Sequence, residues 1–135
     1  MNFPAKILVV DDEAHVRTFL SKLARAHLGT PTLFEASDAA SALEIVRRER
    51  PELVLLDTNL IGTSGLQVLE QIRELDEETV IIMLSTVSLI SAIREAVDRG
   101  ANGYILKNVG SEEVARSLLS AVTESFGDEE ESDKS

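Results

Sequence analysis

The run Leu53-Val54-Leu55-Leu56 contains no polar residue and ends on Asp57. A stretch this short and apolar, set between turn signals, suits a central parallel strand covered on both faces; a strand with one wet face would alternate. Pro51 precedes the run and Gly62 follows it. Open parallel sheets bind ligands beyond the carboxyl ends of their strands, so an acid delivered there stands in a crevice. A strand-end Asp taken alone more often caps a turn. The rest of the chain decides between the two readings.

The same pattern opens the chain, where Lys6-Ile7-Leu8-Val9-Val10 leads into Asp11-Asp12 and reads as strand 1. Helix 1 is predicted over Ala14 to His27, with Val16, Phe19, Leu20, Leu23 and Ala24 at helical spacing and Gly29 as a stop. Thr32 to Ala36 is a short strand 2. Ser37-Asp38 caps helix 2, which carries Ala39, Ala42, Leu43 and Val46 inward and ends before Pro51. After strand 3 and Asp57, residues 58–63 form a loop. Ser64 with Gln67 gives a capping-box signature for helix 3, whose inner stripe is Leu66, Leu69 and Ile72. Val80 to Ser85 is strand 4, and helix 4 is expected to turn Ile90, Ile93, Ala96 and Val97 inward before Gly100. Gly103 to Lys107 is strand 5. Ser111 caps helix 5, with Val114, Leu118, Leu119 and Val122 facing in.

Five strands alternating with five helices predict an α/β fold, a doubly wound five-stranded parallel sheet with right-handed crossovers. The length of 135 residues suits one domain. There is no cysteine, which excludes disulfides and thiolate metal sites. The longest apolar run falls far short of the roughly 20 residues that span a bilayer, so neither membrane nor signal segment is expected. The formal charge of −11 repels phosphate backbones, and direct nucleic-acid binding by this segment is not expected. His15 and His27 read as surface residues. Residues 127–135, with five acids against Lys134, read as an acidic disordered tail or linker stub after a domain over 1–126.

In a parallel sheet the strand ends carrying Asp11-Asp12, Asp57, Ser85 and Lys107 open on one edge. Three carboxylates there repel one another by about 4 kcal/mol per pair at 4 Å and an effective dielectric near 20. Something positive has to stand among them. Lys107 offsets one charge, and the remaining oxygen-only cluster suits a hard divalent cation such as Mg²⁺. A dehalogenase-like phosphatase would need a second acid two residues after the nucleophile, where this chain has Asn59. A flavin binder would need a phosphate-cradling Gly-rich turn, and the loops have none.

Together the paired acids Asp11-Asp12, the Leu-Leu-Asp before a Gly-containing loop, Ser85 after an apolar strand, and Gly103-Tyr104-Ile105-Leu106-Lys107 resemble the receiver domains of two-component response regulators. The resemblance covers about Lys6 to Phe126. The run Gly100 to Asn108 looks especially like receivers that precede a helix-turn-helix output domain. The resemblance implies a cytoplasmic protein with a flavodoxin-like fold of strand order 2-1-3-4-5. It implies that Asp57 takes a phosphoryl group from a phosphohistidine on a sensor histidine kinase or phosphotransfer protein, in a phosphoacceptor that is a signalling domain and not an enzyme of other substrates. Asp12 would ligate Mg²⁺ directly, Asp11 chiefly through water, Asp57 through its carboxylate and Asn59 through its backbone carbonyl. Lys107 would pair with the phosphoryl oxygens, and Ser85 would donate a hydrogen bond to one of them. Tyr104 would follow Ser85 inward and switch the face of helix 4, strand 5 and helix 5, where a homodimer partner or an output domain would dock. Asn108 stands where many receivers carry Pro; without Pro a cis bond costs about 2.5–4 kcal/mol, so Lys107–Asn108 is expected to be trans.

Overall fold

A computed structural model describes residues 2–127. The expected tail falls, from residue 128 onward, outside the described residues. Five strands form one parallel sheet: β1 Lys6–Val10, β2 Thr32–Ala36, β3 Leu53–Asp57, β4 Val80–Ser85 and β5 Gly103–Leu106. Their order across the sheet is β2-β1-β3-β4-β5, which is the predicted 2-1-3-4-5. Five helices connect and follow them: α1 Ala14–His27, α2 Ala39–Glu49, α3 Gly65–Leu75, α4 Ile90–Asp98 and α5 Ser111–Phe126.

Residue parity in the strands sorts the core into two compartments. Leu8, Val10, Val54, Leu56, Ile81 and Met83 face α2, α3 and α4, packing on Val46, Leu69, Ile72 and Ala96. Ile7, Val9, Leu53, Leu55, Ile82 and Leu84 face α1 and α5, packing on Leu20, Ala24, Val114, Leu118 and Val122. Covering both faces removes every residue of β3 from water, which is why this segment shows no alternation. Each such buried Leu, Val or Ile side chain contributes about 1.5–3 kcal/mol relative to exposure.

The helix ends follow local chemistry, with three departures from expectation. Asp38 caps α2 as predicted, its Oδ1 accepting from the Ser41 N–H at 2.8 Å. At α3 the Ser64 hydroxyl accepts from the Leu66 N–H, but Gln67 does not close a capping box, because its Oε1 is taken by the Thr63 hydroxyl at 2.8 Å. Ser111 is the first residue of α5 and not its cap; Gly110 occupies that position without a side chain to offer. The third departure concerns α4. Ala96 is buried and Ile93 half-buried, but Ile90 and Val97 are 68% and 53% exposed. The apolar stripe exists, yet α4 lies toward the β5 edge of the sheet, where too little structure stands beside it to cover the whole stripe.

Residues 58–63 also hold more order than a loop. Asn59–Leu60 and Thr63–Ser64 pair antiparallel in a short hairpin that turns at Gly62, whose φ is +82°. All peptide bonds among the described residues are trans, Lys107–Asn108 included. No helix among them is long and apolar enough to cross a membrane, and His15 and His27 are exposed.

Candidate functional site

The strand order sets β1 beside β3, β3 beside β4 and β4 beside β5, so four consecutive strand ends meet at one edge. They frame a cleft of about 510 Å³ lined by Asp12, Glu13, Asp57, Thr58, Asn59, Ser85, Thr86, Val87 and Lys107. Asp11 lies beneath it, fully buried. Carboxylate oxygens of Asp11, Asp12 and Asp57 lie within 4.8 Å of one another. Of the residues predicted for the site, Asp12, Asp57, Asn59, Ser85 and Lys107 line the cleft, Asp11 lies under it, and Tyr104 stands outside it.

Lys107 reaches under this cluster. Its Nζ donates to Asp11 Oδ2 at 3.0 Å and stands 3.1 Å from Asp57 Oδ1. One ammonium thus serves two buried carboxylates. Burial pushes the Asp57 carboxyl above the ordinary carboxylate range; the Asn59 N–H, donating to Asp57 Oδ1 at 3.2 Å, opposes the rise, the charge of Asp11 adds to it, and Lys107 draws it back. Burial alone would lower the Lys107 ammonium, but its bonds to Asp11 and Asp57 outweigh that and hold it above the ordinary lysine value.

Ser85 is buried at the end of β4, and its Oγ accepts from the Val87 N–H at 3.0 Å. The Tyr104 hydroxyl donates to the Val87 carbonyl at 2.7 Å. The peptide groups of Val87 therefore tie Tyr104, which is packed on the α4 side of the sheet, to the cleft. Asn59, singled out for its carbonyl, contributes an N–H on Asp57 that the sequence did not indicate. Glu13 was also missed: its N–H donates to Asp11 Oδ1 at 2.9 Å and fixes that carboxylate from the α1 side.

Three clustered carboxylates held with one lysine, at the carboxyl edge of a sheet ordered 2-1-3-4-5, call for comparison with known proteins. The family described as "Response regulator receiver domain" matches residues 7–119. This chain belongs to the response regulator receiver family. Similar proteins include the nitrate/nitrite response regulator NarL of Escherichia coli, 32% identical over 118 residues covering 87% of this chain and 55% of that one. The sporulation initiation phosphotransferase F of Bacillus subtilis is 33% identical over 109 residues, covering 81% and 86%. Among solved structures, a LuxR-family two-component response regulator from Aurantimonas sp. SI85-9A1 aligns with a TM-score of 0.81 at 25% identity, covering 91% of this receiver and 87% of that chain. The receiver spans about half the length of the nitrate/nitrite regulators it matches. It is a receiver domain similar to those of signalling regulators, and its acidic cluster is of a kind that could hold a metal ion.

Proposed function

We propose that residues 1–126 form a phosphoacceptor switch in which Asp57 is the nucleophile. One observation carries this reading: the Asp57 carboxylate stands at the cleft 3.1 Å from Lys107 Nζ, with oxygens of Asp11 and Asp12 within 4.8 Å. An Asp57 oxygen attacks the phosphorus of a phosphohistidine on a sensor histidine kinase or phosphotransfer protein. A P–O bond forms, the P–N bond breaks, and its electron pair leaves on the imidazole, which takes up a proton from solvent. The aspartyl phosphate remains on this chain.

The donor set fits Mg²⁺, being oxygen-only, acidic and open to water on one side. Asp12 lines the cleft and is the carboxylate free to ligate directly, whereas both oxygens of Asp11 are engaged, by Lys107 and by the Glu13 N–H. Asp11 therefore acts through water, and Asp57 and the Asn59 carbonyl complete the protein's share. When bound, the cation supplies positive charge to the transferring phosphoryl oxygens. Lys107 then moves its hydrogen bonds toward those oxygens, and Ser85 turns to donate its O–H to one of them, drawing on the Val87 N–H that its Oγ accepts. Tyr104 shares Val87 with Ser85, so that movement reaches the face of α4, β5 and α5, where a homodimer partner or an output domain reads it. The similarity to the response regulator NarL and to a LuxR-family response regulator supports this signalling role, in a setting we take to be cytoplasmic.

The test is incubation with Mg²⁺ and acetyl phosphate followed by intact mass and peptide mapping. One phosphoryl group on Asp57, labile to base, is expected. No uptake in the wild type, or uptake undiminished in Asp57→Asn, would overturn the reading.

A further inference from the structure

One half-buried arginine stands against the acidic edge without belonging to it. Arg17, in the first turns of α1, donates from Nη1 to the backbone carbonyl of Asp11 at 2.6 Å. From Nε it reaches Glu35 Oε1 on β2 at 3.3 Å, and the other Glu35 oxygen accepts from the buried Ser21 hydroxyl at 3.2 Å. The arginine side chain is 18% exposed. The Asp11 N–H is held on the other side by the Ala36 carbonyl at 3.1 Å.

The carbonyl that Arg17 holds belongs to the peptide joining Asp11 to Asp12. A peptide is planar, so fixing its oxygen fixes the direction in which the chain enters Asp12. Asp11 is anchored four times over, through its N–H, its carbonyl and both carboxylate oxygens. Asp12, the one acid of the pair free to face a cation, has no side-chain hydrogen bond of its own among the described residues and takes its aim from that peptide. Groups that orient a ligand without touching the metal commonly account for 10–100-fold in affinity.

We infer that Arg17, held by Glu35, is a positioning residue that aims the Asp12 carboxylate at the divalent cation. This rests on the proposed Mg²⁺-dependent function. Charge alone makes the opposite forecast: a cation beside an acidic cluster repels Mg²⁺, so removing Arg17 would tighten binding. The sign of the change separates the two accounts. The planar guanidinium serves the carbonyl and the carboxylate from different nitrogens, whereas a lysine ammonium keeps the charge without that fork.

The experiment measures the Mg²⁺ dissociation constant by calorimetry for wild type, Arg17→Ala, Arg17→Lys and Glu35→Gln, with thermal melts in EDTA alongside. Arg17→Ala is expected to weaken Mg²⁺ by about tenfold. Arg17→Lys and Glu35→Gln should weaken it by less, and acetyl phosphate uptake at saturating Mg²⁺ should recover in all three. Unchanged or tighter Mg²⁺ binding in Arg17→Ala, whatever its melting temperature, would overturn the inference. If Arg17→Ala does not fold, Arg17→Lys decides, and a wild-type affinity there overturns it equally. Failure of the wild type to bind Mg²⁺ would instead strike the proposed function.

Discussion

Lys107 divides one positive charge between Asp11 and Asp57, and that division leaves Asp57 incompletely compensated. Its folded pKa is raised above the ordinary 3.8, chiefly by burial. Between 3.8 and the raised value the folded state therefore holds more proton than the unfolded state, so stability falls as pH rises through that window and stays lowered at pH 7. Asp57→Asn is accordingly expected to be more stable than wild type at pH 7 in EDTA, by about 1 kcal/mol, with the difference closing as pH falls toward 3.8. A variant that melts lower at pH 7 would mean that the pair with Lys107 outweighs burial. Gly65 imposes a harder constraint. A Cβ there would lie 2.1 Å from the Asp57 carbonyl oxygen and 2.7 Å from Thr58 Cα, both backbone atoms with nowhere to move. Gly65→Ala should cost about 3 kcal/mol, the upper end for overpacking, measured by urea unfolding, and should displace Asp57 enough to slow its phosphorylation. The acids and the lysine were legible in the sequence because strand ends are legible. Arg17, Glu13 and the N–H of Asn59 were not, because they act through backbone groups that no side-chain pattern encodes.

At the scale of elements, periodicity located all five strands and all five helices, and α1 and β2 match their predicted spans. It failed where a pattern carries no information about neighbours. The two-residue strands at Asn59–Leu60 and Thr63–Ser64 are too short to have a period. The stripe on α4 was read correctly as apolar and wrongly as covered, since coverage depends on the helix's place at the sheet's edge. That helix also starts without a side-chain cap, as α1 and α5 do: Leu89 occupies the N-cap, gives no side-chain hydrogen bond and is 65% exposed. An Asp at this position would accept from the free N–H groups of the first turn and lose little burial. Leu89→Asp is therefore expected to stabilise the domain by about 1 kcal/mol in urea unfolding. No gain would show that the start of α4 is held open by something other than its missing cap.

For the whole molecule, the strand order matters more than any single contact. Asp11-Asp12 and Asp57 are 45 residues apart in sequence at their nearest, and the neighbouring placement of β1 and β3 brings their carboxylates within 4.8 Å. A cation held there binds only the folded chain, so Mg²⁺ should raise the melting temperature, with about 2.7 kcal/mol gained at a hundredfold excess over the dissociation constant. Most of that gain should vanish in Asp12→Ala. Equal gains in the two proteins would put the cation elsewhere. The alternation of the strands between two compartments bears on how such a sequence can drift. Ile81 and Ile82 are joined by a peptide bond, yet their side chains belong to cores on opposite sides of the sheet. A volume lost at Ile81 can be made good at Met83, Val54 or α3, but not at Ile82. Over evolutionary time the two halves are free to exchange residues within themselves while ignoring each other, so covariation in descendants of this chain should skip every second residue along each strand.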